Sequence, residues 1–157
     1  MPMNPIDQTR KKSICFHVAQ GCYLLVGLSM VGIGLFYLSL QRIMPYHEQA
    51  LGTAWEQLPP AHQTLLLALL HGGGSASLAT GLALLILLGI PFRRLEGWSR
   101  WALLTIAAPP TLVLLHITVT LRLDRAVQTP WPLVALALIL LLGGFVSSFF
   151  WEKGTAK

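Results

Sequence analysis

Two histidines, His71 and His116, stand inside long runs of apolar residues, where an ionisable ring has most reason to do chemistry. A polar group facing bare lipid is expensive, so each imidazole is expected to point into a helix bundle or a cavity. At 100° per residue His71 shares a helix side with Ala68, Gly74, Ser75 and Leu78, and the two small residues leave flat room beside the ring. His116 shares a side with Thr105, Pro109, Leu112 and Thr120. Pro109 has no N–H to give to the Thr105 carbonyl, so that side is unusually polar for a membrane segment. Counted from the ends of their runs, both histidines fall roughly 8–10 Å below the same boundary. Two imidazoles on facing helices beside glycine suit haem b, or a quinone or other small-molecule pocket. Two nitrogens alone hold a metal poorly, and no metal site is assigned; a third could come only from His47, which falls above the pair, since His62 lies on the face opposite His71. The alternative is a structural pair, each ring hydrogen-bonded to Ser, Thr or the freed carbonyl.

Four runs must position these residues: 14–40, 64–90, 101–121 and 131–151, each reaching the ~20 residues that cross a ~30 Å hydrocarbon core. The 157 residues are 54% hydrophobic and only 11% charged, which is too few charges to cover the apolar surface in water. The expected fold is all-α, an antiparallel bundle of four transmembrane helices with short tails at 1–13 and 152–157. The first run follows Arg10, Lys11 and Lys12 but is too long for a cleaved leader and is read as a retained helix. Pro91 is expected to end the second helix, and the prolines of "QTPWP" to start the fourth. Within "YHEQALGTAWEQL", Ala50, Leu51, Ala54, Trp55 and Leu58 recur at helical spacing, which predicts a short helix over about 46–58 lying on the membrane surface between the first two spans.

Small residues predict how the spans pack. Gly73, Ser77 and Gly81 repeat every four residues in the second span, with Gly27 and Gly34 in the first and Gly143 and Gly144 in the fourth as counterparts. In lipid such residues let backbones touch. Cys15 and Cys22, about 10 Å apart along one helix, cannot pair within the chain.

Lys and Arg set the orientation, since short loops rich in them resist translocation. Arg10, Lys11, Lys12, Arg93, Arg94, Arg100, Lys153 and Lys157 collect at one side, and Arg42, Arg122 and Arg125 at the other. Both termini are therefore expected in the cytoplasm. A basic collar facing anionic lipid explains the net charge of +5, and no nucleic-acid partner is implied. Tyr37, Tyr46, Trp55, Trp98, Trp101, Trp131 and Trp151 sit near predicted helix ends, as interfacial anchors do.

The strings "MPYHEQALGTAWEQLPP", "GGG" and "IPFRRLEGWSRWAL", together about residues 42–104, resemble a group of small, uncharacterised bacterial four-helix membrane proteins. The resemblance implies the fold and a bacterial inner membrane, and no activity. No carboxylate lies inside a span, and no Ser/His/Asp set, Cys-rich cluster or phosphate cradle is present, so no catalytic residue is assigned. Two functional classes survive. One is a non-enzymatic accessory or structural subunit that packs in a larger membrane complex or with itself; the other is a redox subunit binding haem b or quinone through His71 and His116, with His47, Gly74, Ser75 and Thr120 around them.

Overall fold

The computed structural model describes residues 5–150, with side chains from residue 14 onward. Trp151, Lys153, Lys157 and the side chains of Arg10, Lys11 and Lys12 lie outside the described residues. The order is α1 (Pro5–Ser39), α2 (Pro45–Leu51), a short 3-10 turn (Trp55–Gln57), α3 (Pro60–Leu87), a π-helical turn (Leu88–Phe92), α4 (Trp98–Arg125) and α5 (Trp131–Phe150). Four of these are long and apolar enough to cross a membrane, with stretches of 26, 33, 28 and 20 residues against the ~20 that are needed. Their surfaces agree: Leu24, Leu25, Leu28, Leu35 and Phe36 of α1, and Leu133, Leu136, Ile139, Leu142 and Val146 of α5, are all exposed. Such apolar flanks are stable only against lipid tails.

α1 packs against α3 and α5, and α4 packs against α5 and α3, so the spans form a ring with α1 and α4 across one diagonal. The core gathers at the end of the ring that carries Arg93 and Arg94, around Ala19, Tyr23, Val26, Leu84, Leu88, Phe92, Leu103, Ala107 and Leu141. Phe92 stacks on Phe16 with ring centroids 5.5 Å apart and meets Tyr23 edge-on, also at 5.5 Å.

Two expectations are revised by local backbone chemistry. Pro91 does not end the second span. The helix widens into a π turn that carries Pro91 and Phe92 on into the core, because a wider turn absorbs a residue that has no N–H to donate. It then stops where Leu95 turns left-handed at φ 63°, with Leu95 N–H donating to the Phe92 carbonyl and Glu96 N–H to that of Pro91. The surface helix is also shorter than 46–58. Gly52, at φ 69°, caps α2 after Leu51 by donating its N–H to the Glu48 and Gln49 carbonyls. The periodic apolar residues beyond it continue as the 3-10 turn, whose carbonyls at Trp55 and Leu58 accept from Gln63 Nε2. Arg100, grouped above with the basic collar, is 8% exposed, its guanidinium carbon 4.4 Å from the centre of the Phe149 ring.

α1 and α3 touch backbone to backbone. A Cβ on Gly34 would lie 2.6 Å from the Leu78 nitrogen and 2.8 Å from the Gly74 oxygen; one on Gly81 would lie 2.7 Å from the Val31 nitrogen and 2.8 Å from the Gly27 oxygen. Gly74, buried against Tyr37, completes a ladder in which glycines seven apart on each helix face one another. Gly73 meets nothing within 4 Å and Ser77 is half-buried, so the closest line of approach on α3 runs through Gly74. On α5, Gly144 lies against Cys22 and Ala19, whereas Gly143 faces open space. Gly34→Ala and Gly81→Ala should each lose about 1–3 kcal/mol, as overpacked cores do, while Gly73→Ala and Gly143→Ala should be neutral or slightly stabilising. Unfolding in mixed micelles measures this, and an equal loss at Gly73 and Gly34 would contradict the ladder.

Candidate functional site

The last carbonyls of a helix have no partner within it, and α1 ends without a basic residue in its last turn. α3 supplies the missing donor. His71 Nε2–H donates to the Leu40 carbonyl at 2.9 Å, across the tight α1–α3 contact. Gly74, one turn on, is buried by α1, and exposed Ser75 donates its hydroxyl to the His71 carbonyl within its own helix.

His116 is elsewhere. It is exposed on α4, next to exposed Ile117 and one turn from exposed Leu112 and Val113, and Thr120 nearby is half-buried. No hydrogen bond or ring contact joins His116 to His71, whose ring nitrogen is committed to Leu40. Among the described residues no three His, Cys, Asp or Glu side chains converge on one point. The side of α4 that turns inward carries Leu103, Ala107, Thr111 and Thr118 instead.

His47 stands apart from both. Its Nδ1 accepts the Met44 N–H at 3.3 Å, closing the first turn of α2, and its ring lies 4.0 Å from that of Tyr46. Burial holds its pKa below the usual histidine value. Outside it, Arg42 bridges Glu48 at 2.8 Å and Glu56 at 3.3 Å. Those carboxylates keep the guanidinium pKa high, the hydrogen bond to Glu48 contributing most.

A cleft of about 480 Å³ lies at the α2 end of the bundle, lined by α1, α4, α5 and the residues around α2. Its inner wall is Val26 and Met30 of α1, Thr111 and Thr118 of α4 and Val134 of α5, all buried. Its rim is Ile33 and Phe36 on one side and Leu133 and Leu136 on the other, all exposed, so it opens sideways between α1 and α5. Tyr37 and Tyr46 roof it, with hydroxyls 3.2 Å apart. Tyr46 stays protonated, its pKa raised by burial first and then by the hydrogen bond with Tyr37. Thr111 and Thr118 donate to the Ala107 and Leu114 carbonyls of their own helix, and Thr129 donates to the Thr118 carbonyl at 2.8 Å. The cleft thus offers walls that are apolar over most of their length, the Ser29 hydroxyl part-way along α1, and the tyrosine pair beneath α2. It fits an elongated apolar group with a hydrogen-bond acceptor at one end.

Sequence reasoning treated Tyr37 and Tyr46 as interfacial anchors and did not single out Thr111 or Thr118. A signal was present for the threonines: Leu103, Ala107, Thr111 and Thr118 follow the four-, four- and seven-residue steps of a buried helix face. The tyrosines are nine residues apart, on either side of the break between α1 and α2, and no helical spacing pairs them.

No protein-family model matches the sequence, no curated protein matches it, and no solved structure matches the fold.

Removal of the His71 imidazole should lower stability by roughly 1 kcal/mol, the scale of a hydrogen bond in lipid, whereas His116→Ala should change it by less than about half of that. Equal losses that fail to add in the double variant would instead indicate a coupled pair. For His47, the folded protein favours the neutral ring, whose Nδ1 must stay free to accept. Stability from this contact is therefore complete above about pH 6.5 and falls as the pH drops from there through the lower folded-state pKa. Proteolysis of the 40–59 connection should accelerate over that window, and His47→Gln should flatten the profile.

Proposed function

We propose that the protein is a non-catalytic integral membrane protein that works by packing, as an accessory or structural subunit of a larger membrane assembly or with a second copy of itself. The observation that carries this reading is the outer face of α3. Ala68, Gly72, Ser75, Ala76 and Ala79 lie within one narrow helical sector, all exposed, and a Cβ on Gly72 would meet nothing within 4 Å. The sector lies opposite the Gly74–Gly81 face that holds α1. It runs about 16 Å along the helix, between exposed Leu65 at one end and exposed Leu82 and Ile86 at the other. Small residues in this pattern allow another helix to approach as closely as α1 does on the opposite side, and lipid tails gain nothing from them.

A cysteine in place of Ala76, with Cys15 and Cys22 changed to Ser, should cross-link in native membranes to a second copy or to a partner helix. Ile139→Cys, on the lipid-facing side of α5, should not. Similar yields at the two positions would sink the proposal.

We further propose the cytoplasmic membrane of a bacterium, with both termini inside. The support is the split of Lys and Arg, including exposed Arg93 and Arg94 in the connection between α3 and α4. Reporter fusions at Thr53 and Gln128 should read as outside and at Glu96 as inside; the reverse at all three would overturn this orientation.

A further inference from the structure

The ring of helices is closed at one end and parted at the other. Near Arg100, α1 and α5 are in contact, with Gly144 against Cys22 and Ala19. Towards α2 the α1 backbone is held to α3 by Gly34 and Gly74, and the cleft occupies the space between α1 and α5. We propose that this cleft is a lipid-binding site that holds one acyl chain of a phospholipid, with the ester carbonyl at the head of that chain accepting a hydrogen bond from the Tyr37–Tyr46 hydroxyl pair.

Four features select this occupant. The first is length: from Val26 to Tyr37 the cleft follows α1 for about 16 Å, close to half of a ~30 Å hydrocarbon core, which is the depth of one leaflet. The second is access. The mouth between Ile33 and Phe36 on α1 and Leu133 and Leu136 on α5 faces the surrounding lipid, so a chain slides in sideways without passing through water. The third is polarity: Val26, Met30, Leu114, Ala137 and Leu140 make the walls apolar, the Thr111 and Thr118 hydroxyls are bonded within their own helix, and Ser29 is the one further hydroxyl in the lining below the tyrosine pair.

The fourth is a count of protons. Two tyrosine hydroxyls carry two, and their mutual hydrogen bond uses one, so one O–H is left to donate. This donor sits at the α2 end, the level at which the ester groups of that leaflet lie. An empty apolar space at this depth would forfeit dispersion contacts along its whole wall, which a flexible chain restores.

The test uses the full chain in detergent, titrated with a phosphatidylcholine bearing a diazirine on its sn-2 chain and then irradiated. Saturable labelling on Met30, Ala137 and Leu140 is expected. Ala137→Trp, which fills the cleft from α5, should reduce it by about tenfold, the scale set by losing a few buried methylenes. Ser29→Phe does the same from the α1 side, so a folding failure of one variant leaves the other to decide. Replacing both tyrosines by Phe should weaken the probe by about fivefold, the effect of one ordinary hydrogen bond, and remove its preference over an ether-linked analogue. Labelling that does not saturate and spreads over Ile139 and Val146 would overturn the proposal. So would unchanged labelling in the filled variants, or displacement of the probe by an isoprenoid quinone at lower concentration than by unlabelled phosphatidylcholine.

Discussion

The direct contact of two backbones, α1 on α3, is the constraint from which the rest of this molecule follows. In lipid no hydrophobic force draws helices together, and what holds them is close packing. Gly27 and Gly34 on one helix and Gly74 and Gly81 on the other remove the side chains that would separate them. With α1 held so near, the Leu40 carbonyl comes within reach of His71, and the chain leaves α1 in a direction that sets Tyr46 against Tyr37. α5 meets α1 through Gly144 at the other end. α1 stays against the second span at both ends but meets α5 closely near Gly144, and the cleft is the gap left between α1 and α5 towards α2.

The same scarcity of water explains where the hydroxyls point. Thr111, Thr118 and Ser148 are buried, and each donates to a carbonyl of its own helix one turn back. This satisfies the donor without a second helix and keeps the inward face of α4 compatible with apolar neighbours. Pro109 and Pro110 sit inside α4 on its exposed side, where the helix continues through them. His71 does bridge two spans, and it does so at a helix end, where a carbonyl lacks a partner in any case.

The surface segment resolves into a small electrostatic and capping unit. Arg42 ties Glu48 to Glu56, His47 closes the first turn of α2, and Gln63 reaches back from α3 to the 3-10 turn. Buried Ile43 pins it to the bundle. Its ion pairs are exposed and contribute little by themselves. The geometry they help to maintain is the placement of Tyr46 over the cleft.

Much of this was legible in the chain. Apolar runs of membrane length dictate four spanning helices because the bilayer leaves no other way to satisfy the backbone, and the paired prolines and polar residues of 41–63 dictate a surface connection with a short helix. Glycine content announces close helix contacts, since glycine is too unfavourable in helices to recur without a packing reason. Which glycines touch is a matter of rotation about the helix axis, and a shift of one residue, from Gly73 to Gly74, turns the contact by 100°. A histidine in a span announces a buried partner, but not whether that partner is another imidazole or a carbonyl. Two positions 31 residues apart, His71 and Leu40, meet only because α1 lies against α3, while His116 is carried to the outside by the phase of α4. The pairing of Tyr37 with Tyr46 and the cleft beneath them likewise arise from how far apart α1 and α5 stand, a distance set by packing between helices and written in no single stretch of sequence.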